Sequence, residues 1–425
     1  MNTSASTIIF RIGLVLVVLL LIDLYTFRSI KTAFSFIQSG RVRQLIYWIY
    51  WAANLSFLGA AVFALSKFDR HSGPQRGFIP FLIAAFVLLY IPKLILVIVL
   101  LLEDILRLLR AGGVSVVKMT TGHLKDTPFF ESRRAFFSQI AIALASIPFF
   151  SILYGISKGK YNYKVHRVKL KFKDLPSAFH GLTITQISDI HSGSFDNAEA
   201  VQRGIDLVNA QKSDLIFFTG DLVNNLANEM DPWISHFKQL KAAMGVYSIF
   251  GNHDYGDYST WDSAEEKKKN HDRLIAIHRE LGFKLMLNEN TFIEKDGERF
   301  ALIGLENWGN GSFTKYGDLD KSMIGIPDDA FKILLSHDPS HWDAQTLTYP
   351  KHIHLTLAGH THGMQFGVEI PGIKWSPVQY RYPRWADLYQ ENNKFLYVNR
   401  GFGFIGFPGR VGIWPEVTVI TLEKA

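Results

Sequence analysis

Cysteine is absent from the 425-residue sequence. Its absence excludes disulfide bridges, thiolate metal sites and a cysteine nucleophile. It leaves the cellular compartment open, because exported and cytosolic proteins alike can lack cysteine. An internal repeat of fixed period and a low-complexity tract are also absent.

Positive charge is only slightly in excess, with 45 Lys and Arg residues against 38 Asp and Glu residues. Many of the cations flank apolar segments, where they serve membrane topology, and no concentrated basic stripe stands out. We therefore expect no nucleic-acid partner. The short basic run Lys267-Lys268-Lys269 is interpreted as the solvated face of a helix.

Long apolar runs occur in the first 157 residues and not in the remainder. Four stretches, 8–27, 45–65, 78–102 and 136–156, each have about the 20 residues that a spanning helix needs. Their basic flanks favour membrane spans over buried core helices. We predict a multi-pass, all-α membrane domain over 1–157 and a second domain over 163–425. The first run is not expected to be a cleavable signal peptide, since no basic residue precedes it within 1–7.

The third apolar run contains Pro92 and Lys93 near its middle. A proline inside a helix removes a backbone donor and kinks it. An intramembrane lysine should face the bundle interior or a water-filled cavity. A lipid-headgroup or gating role and a paired structural role both remain open for Lys93, and the structural role is favoured.

Basic residues are unevenly distributed among the connections between the spans. The first and third connections hold Arg28, Lys31, Arg41, Arg43, Arg107, Arg110, Lys118, Lys125, Arg133 and Arg134. The second holds Lys67, Arg70 and Arg76. The positive-inside rule then predicts an extracytoplasmic second domain, although Lys158, Lys160 and Lys164 argue the other way. Ser132-Arg133-Arg134, directly before the fourth run, is similar to a twin-arginine export signal and also favours an extracytoplasmic second domain.

From Tyr163 onward, short β-rich runs alternate with helical patterns. Predicted strands cover 182–189, 214–219, 246–250, 300–305, 331–335, 354–358, 395–398 and 417–422. Predicted helices cover 198–210, 233–243 and 264–281. Strands flanked by helices predict a layered α/β architecture.

Five short motifs follow the predicted strands. They are Asp189-Ile190-His191, Gly220-Asp221, Gly251-Asn252-His253-Asp254, Ser336-His337-Asp338 and Gly359-His360-Thr361-His362. Strand ends meet at one edge of a sheet, where α/β folds place their ligands. Each motif alone is weak, but the ordered set supplies enough carboxylate, amide and imidazole donors for two metal ions.

The ordered motifs resemble the signature of the calcineurin-like metallophosphoesterase superfamily over about 182–422. Four further features are similar to its YkuE-type branch and to the transmembrane proteins with a metallophosphoesterase domain. They are the apolar runs, the internal Ser-Arg-Arg, the segment 359–365 and the tail 408–416. Met364 departs from that branch, which usually has a second glycine there, so the pocket shape is in doubt. The resemblance implies a layered β-sandwich flanked by helices and a metal-dependent phosphoesterase.

The resemblance also implies a role for each motif residue. Asp189, His191 and His362 would bind the first divalent ion. Asn252, His337 and His360 would bind the second, with Asp221 bridging the two. His253 would donate a hydrogen bond to the substrate phosphate and act as general acid, and Asp254 would orient and charge that imidazole.

The chemistry of phosphate esters supports these roles independently. Two cations about 3.5–4 Å apart can bind phosphoryl oxygens and acidify a bridging water to a metal-bound hydroxide. A neutral amide such as Asn252 adds an oxygen ligand without adding negative charge. The leaving oxygen then needs a proton, which a histidine can supply. The mixed donor set suits Mn²⁺, Fe or Zn²⁺ and does not choose among them.

The substrate stays open between a phosphomonoester, a phosphodiester and a lipid-linked pyrophosphate. The tail 375–414 is rich in aromatics and arginines. It is interpreted either as an apolar rim with arginines for a lipid phosphate or as core aromatics with solvated arginines. Some similar enzymes cleave the pyrophosphate of a lipid A precursor, a cytosolic substrate that conflicts with the predicted side. The alternative is a catalytically inactive, metal-bound membrane scaffold or sensor. The oligomeric state is not predicted.

Overall fold

The computed structural model describes residues 5–66, 78–121 and 131–425. The described chain forms two compact units, one built from the N-terminal helices up to Leu153 and one from Tyr154–Ala425. Part of the topology prediction rests on Lys67, Arg70, Arg76 and Lys125, which lie outside the described residues.

The first unit consists of four helices, each long and apolar enough to cross a membrane. They are α1 (Ala5–Ala33), α2 (Gly40–Ser66), α3 (Ile79–Thr121) and α4 (Glu131–Ser157). The four predicted apolar helices are thus confirmed. Helix α3 continues well past residue 102 to Thr121, because Glu103 and the leucines and arginines of 106–110 are good helix formers.

Lys93 is buried inside this helical unit, with 5% of its surface exposed. Its Nζ lies 2.6 Å from Oδ1 of the fully buried Asp23 and also donates to Oδ1 of Asn54. The hydroxyl of Tyr90 donates to Oδ2 of Asp23 at 3.1 Å. The lysine therefore links α3 to α1 and α2, which supports the structural interpretation of Lys93.

The second unit contains two six-stranded mixed sheets and a two-stranded hairpin. The first sheet has the order β1-β14-β2-β3-β4-β5, formed by Lys164–Phe172, Glu416–Lys424, Thr183–Ile187, Leu215–Phe218, Val246–Ser248 and Phe283–Leu285. The second has the order β12-β13-β9-β8-β7-β6, formed by Asp387–Glu391, Lys394–Val398, Leu355–Ala358, Lys332–Leu335, Glu298–Gly304 and Glu289–Lys295. The hairpin pairs β10 (Val368–Ile370) with β11 (Ile373–Trp375).

The two large sheets pack face to face, since one apolar cluster draws residues such as Phe217 from the first and Phe300 from the second. Helices α5 (Ala198–Ala210) and α7 (Ala264–Glu280) cover the other face of the first sheet. The short α8 (Leu319–Ser322) packs on the other face of the second. The predicted layered β-sandwich flanked by helices is confirmed.

The helix predicted over 233–243 is wrong in extent. A 3-10 helix covers Ala227–Trp233, and α6 is limited to Ile234–Phe237. The buried side chains Met230, Trp233 and Phe237 recur every three or four residues within these two short helices, and the buried Leu240 follows them.

Candidate metal centre

The predicted ligands lie where strands of both sheets end. Parallel neighbours β2, β3 and β4 lead to Asp189, Asp221 and Asn252. In the second sheet, the parallel pair β8 and β9 leads to His337 and His360. Adjacent parallel strands end on the same side of a sheet, so their following loops converge.

Two groups of side chains meet at these loops. The first group is Asp189, His191 and His362, and the second is Asp221, His337 and His360. Within each group the ligand atoms all lie within 4.8 Å of one another. The groups adjoin, because Nε2 of His191 is 3.5 Å from Oδ2 of Asp221. The structure therefore brings the six predicted acidic and imidazole ligands together.

The backbone at this centre is unusual. Left-handed φ values occur at non-glycine residues of both groups: Asp189 (52°), His191 (48°), Asp221 (61°), His360 (71°) and His362 (51°). Such conformations cost about 1–3 kcal/mol each and persist where the surroundings enforce them, often at functional sites. Two glycines permit the close packing, since a side chain on Gly251 would strike the Asp221 carboxylate and one on Gly359 would strike Asp189.

Unpaired buried imidazole nitrogens test whether cations fit here. Among the described residues, both nitrogens of His191 and the Nε2 atoms of His337 and His362 are buried without a hydrogen-bond partner. A buried polar atom without a partner costs about 1–3 kcal/mol. Oxygens of Asp221 and Asp189 lie 3.1 and 3.2 Å from the Nε2 atoms of His337 and His362. Cations between these atoms would satisfy them, so the donor set fits divalent metal ions.

His337 shows how strongly the site attracts positive charge. Its Nδ1 donates to the carbonyl oxygen of Thr219 at 2.7 Å, which leaves Nε2 facing Asp221. Burial alone would lower the pKa of this imidazole, but the carboxylates of Asp221 and Asp189 raise the pKa of His337 to about 10. The same carboxylates would attract a metal cation in place of that proton.

Asn252 and His360 face each other on the second side of the centre, with Oδ1 and Nδ1 separated by 2.8 Å. The Asn252 amide nitrogen donates to the Tyr258 hydroxyl, which turns the carbonyl oxygen towards His360. On its other side, Nε2 of His360 lies 2.8 Å from the Tyr382 hydroxyl, and that hydroxyl donates to Asp338. If His360 carries its proton on Nε2, its Nδ1 has a lone pair that faces the lone pairs of the Asn252 carbonyl oxygen. A cation bound to both atoms would stabilise this arrangement.

His253 lies beside the first group, with its ring 5.0 Å from that of His191. Its Nδ1 donates to the carbonyl oxygen of Asn224 at 2.6 Å, and its backbone N–H donates to Oδ1 of Asp221 at 2.8 Å. Burial lowers the pKa of His253. The Asn224 bond fixes the tautomer and leaves Nε2 for another partner.

The expected role of Asp254 needs correction. Its carboxylate accepts backbone N–H groups: Asp221 and Gly251 on Oδ2, and Leu222 and Val223 on Oδ1. The imidazole of His253 takes Asn224 as its partner instead. Burial, together with the neighbouring Asp221, raises the pKa of Asp254 to about 7. Asp254 therefore holds the loop that carries Asp221 and does not orient His253.

Four further residues support the ligands, and the sequence interpretation assigned them no such role: Tyr258, Asp338, Tyr382 and Arg410. Arg410 is fully buried, with Nη2 3.1 Å from Nδ1 of His362 and donating to carbonyl oxygens of the loop 400–403. Asp338 could have been found, because it directly follows His337 in the motif. No spacing rule singles out Tyr382 or Arg410 within the aromatic tail.

The arginines of the tail are largely structural. Arg400 is buried and pairs with Glu416, Asp387 and Glu369 at 2.6–2.7 Å. Arg384 pairs with Asp343 and Glu391. Arg384 and Arg400 are therefore committed to carboxylates of the protein, which fits neither the lipid-phosphate interpretation nor the interpretation as solvated side chains. Some of the apolar side chains in this region are exposed, unlike the paired arginines. They lie on and beside the β10–β11 hairpin: Val368, Ile370, Ile373, Trp375 and Tyr380.

Comparisons with known proteins agree with this geometry. The family described as "Probable Calcineurin-like phosphoesterase, transmembrane domain" matches residues 6–160, and "Calcineurin-like phosphoesterase" matches residues 182–364. The chain is 31% identical to the uncharacterized metallophosphoesterase YkuE of Bacillus subtilis, over 60% of this chain and 84% of that protein.

Two other relatives extend the comparison. The chain is 26% identical to the "Transmembrane protein with metallophosphoesterase domain" of Danio rerio, over 68% of this chain and 64% of that protein. It is 25% identical to the UDP-2,3-diacylglucosamine pyrophosphatase LpxG of Chlamydia trachomatis, over 54% of this chain and 81% of that protein. With its four apolar helices and its two clusters of metal-binding side chains, this chain belongs to the calcineurin-like metallophosphoesterase family, and it is a phosphate-ester hydrolase.

Proposed function

We propose that the chain hydrolyses a membrane-associated phosphate ester at a dinuclear metal centre. The observation that carries this proposal is the set of buried, unpartnered imidazole nitrogens facing the carboxylates of Asp189 and Asp221. Asp189, His191 and His362 would hold one ion, and Asn252, His337 and His360 would hold the other, with Asp221 available to both. When bound, the two cations neutralise phosphoryl oxygens and acidify water.

His253 is the proposed acid for the leaving oxygen. Its Nδ1–H is committed to Asn224, so the leaving oxygen must take its proton from Nε2, which carries one only when the imidazole is doubly protonated. In the His253→Ala variant, kcat should fall about 10²–10⁴-fold for a poor leaving group and much less for p-nitrophenolate, which leaves without a proton. Equal and full kcat on both substrates would refute the acid role.

A lipid-linked phosphate is the proposed substrate class. The spanning helices hold the enzyme in a membrane, and the catalytic unit exposes Ile370 and Ile373, at 55% and 54%, on the hairpin that follows the His360–His362 segment. Exposed apolar side chains near a catalytic centre suit a substrate with acyl chains. LpxG, a relative of this chain, is named for a diacylated substrate.

The catalytic unit is proposed to lie outside the cytoplasm, because basic residues concentrate in the first and third connections. Protease treatment of intact cells should then remove the C-terminal unit. Protection before lysis and digestion after it would refute this side and favour a cytosolic substrate such as UDP-diacylglucosamine.

Hydrolysis by purified, Mn²⁺-reconstituted protein tests the activity directly. We expect turnover of bis-p-nitrophenyl phosphate or p-nitrophenyl phosphate by the wild type and its loss in Asp221→Asn. Parallel assays on a phosphatidic acid and on UDP-diacylglucosamine separate the monoester and pyrophosphate classes. Absence of turnover on every substrate, with metal bound, would favour the inactive scaffold.

A further inference from the structure

A basic cavity of about 700 Å³ opens in the four-helix unit, far along the sequence from the metal ligands. Its lining comes from three helices and the turn after the first: Arg28, Lys31 and Thr32 of α1, Ser35 just beyond α1, Arg107 of α3, and Arg134 and Ala135 of α4. These positions fall near the C-terminal end of α1 and the N-terminal end of α4, which meet there. The cavity therefore sits at one end of the spanning helices.

Of the four cations in this cavity, one has a carboxylate partner in the part of the chain that the structure describes, and three do not. Arg107 is paired with Asp104 at 2.5 Å, and Asp104 also accepts the hydroxyl of Tyr25. Arg28, Lys31 and Arg134, by contrast, have no carboxylate partner within the described ranges. Unpaired cations that line one cavity repel each other, and an anion among them removes that repulsion and forms charge-assisted hydrogen bonds.

The surroundings of the cavity are apolar and exposed. Leu24 lies one helical turn before Arg28, Leu108 follows Arg107, and Phe136 lies two residues after Arg134. Their exposed fractions are 45%, 70% and 58%. On helices of spanning length, such side chains face lipid tails rather than water. An occupant with a phosphate head and acyl chains matches both the cavity and its rim.

We propose that this cavity binds the headgroup phosphate of an anionic phospholipid, with its chains lying along the exposed leucines and Phe136. None of its residues is a predicted metal ligand, and the proposal does not depend on the proposed hydrolysis. Basic residues at the ends of spans are common, since they set topology. The convergence of three unpaired cations from two helices on one cavity distinguishes this site from a diffuse basic belt.

The test compares two double variants of the full-length protein in nanodiscs of phosphatidylcholine, with and without phosphatidylglycerol. The cavity variant is Arg28→Gln with Arg134→Gln. The control is Arg41→Gln with Arg43→Gln, which removes the same charge from the start of α2 at the same end of the unit. Native mass spectrometry after detergent release measures retained phosphatidylglycerol, and helix content by circular dichroism checks folding.

We expect the wild type and the control to retain phosphatidylglycerol, and the cavity variant to lose about tenfold or more of that retention. Equal losses in the two variants would mean a diffuse basic belt, and no loss in either would mean no site; each result overturns the proposal. Inorganic phosphate is added as a competitor in the third arm. If phosphate alone displaces the lipid from the wild type, the cavity takes a soluble anion and the lipid assignment is wrong.

Discussion

The Asp254 carboxylate accepts the backbone N–H of Asp221 at 2.9 Å, although the two residues are 33 positions apart. Asp221 contacts an imidazole from each of the two ligand groups: its Oδ2 lies 3.5 Å from Nε2 of His191 and 3.1 Å from Nε2 of His337. A buried acid that binds no metal thus fixes the proposed bridging ligand. The partner of a ligand, as much as the ligand itself, determines the affinity of a metal site.

Replacing Asp254 by asparagine should weaken metal binding rather than proton transfer. An amide nitrogen cannot accept the backbone N–H groups that Oδ1 or Oδ2 accepts now, so the loop that carries Asp221 loses support. We expect Asp254→Asn to lower Mn²⁺ affinity about 10–100-fold while kcat at saturating metal largely recovers. Titration of activity against free Mn²⁺ measures this. If kcat stays low at saturation, as expected for His253→Ala, the two residues act as an acid pair after all.

Arg410 should act on the metal centre through His362. Its guanidinium ties the loop 400–403 to that imidazole, and lysine cannot reproduce the planar set of donors. Arg410→Lys is expected to weaken Mn²⁺ binding about tenfold or more. The control is Arg203→Lys on the exposed surface of α5. Equal metal affinity in Arg410→Lys, Arg203→Lys and the wild type would show that Arg410 does not support metal binding through His362.

Lys93 should stabilise the helical unit only while Asp23 is charged. Lys93→Met leaves a buried carboxylate beside Tyr90 without its cation, which typically costs about 3–5 kcal/mol. Adding Asp23→Asn should recover most of the lost stability, since the charge is then gone. Thermal unfolding in detergent compares the two single variants with the double variant. Additive losses in the double variant would contradict a paired structural role.

Glu416 gives the catalytic unit a predictable acid sensitivity. Burial would raise its pKa, but Arg400 at 2.6 Å and its hydrogen bonds lower the pKa of Glu416 below the ordinary value. A carboxyl group with a lowered folded pKa contributes stability above its unfolded pKa of about 4.3, and this is lost as pH falls through the folded value. Glu416→Gln should therefore be less stable at neutral pH and lose less stability on acidification. Asp343→Asn, at a half-exposed surface pair, is the control and should change little.

The ligands could be predicted from the sequence because each follows a strand, and ends of parallel strands must converge. The supporting contacts could not. Asp254 reaches Asp221 and Arg410 reaches His362 across 33 and 48 residues, through loops whose paths no local pattern determines. The partly exposed edge strand β6 and the hairpin β10–β11 also escaped prediction, since their side chains do not alternate between buried and exposed as those of a half-buried strand do.

The metal content of purified, Mn²⁺-reconstituted full-length protein tests the central claim most directly. Elemental analysis should find two divalent ions per chain in the wild type, one for each cluster of ligands. Asp221→Asn should bind fewer ions and lose hydrolysis, and chelation of the wild type should abolish activity that Mn²⁺ restores. Wild-type protein that holds no ions after reconstitution, or that remains fully active after chelation, would contradict the account.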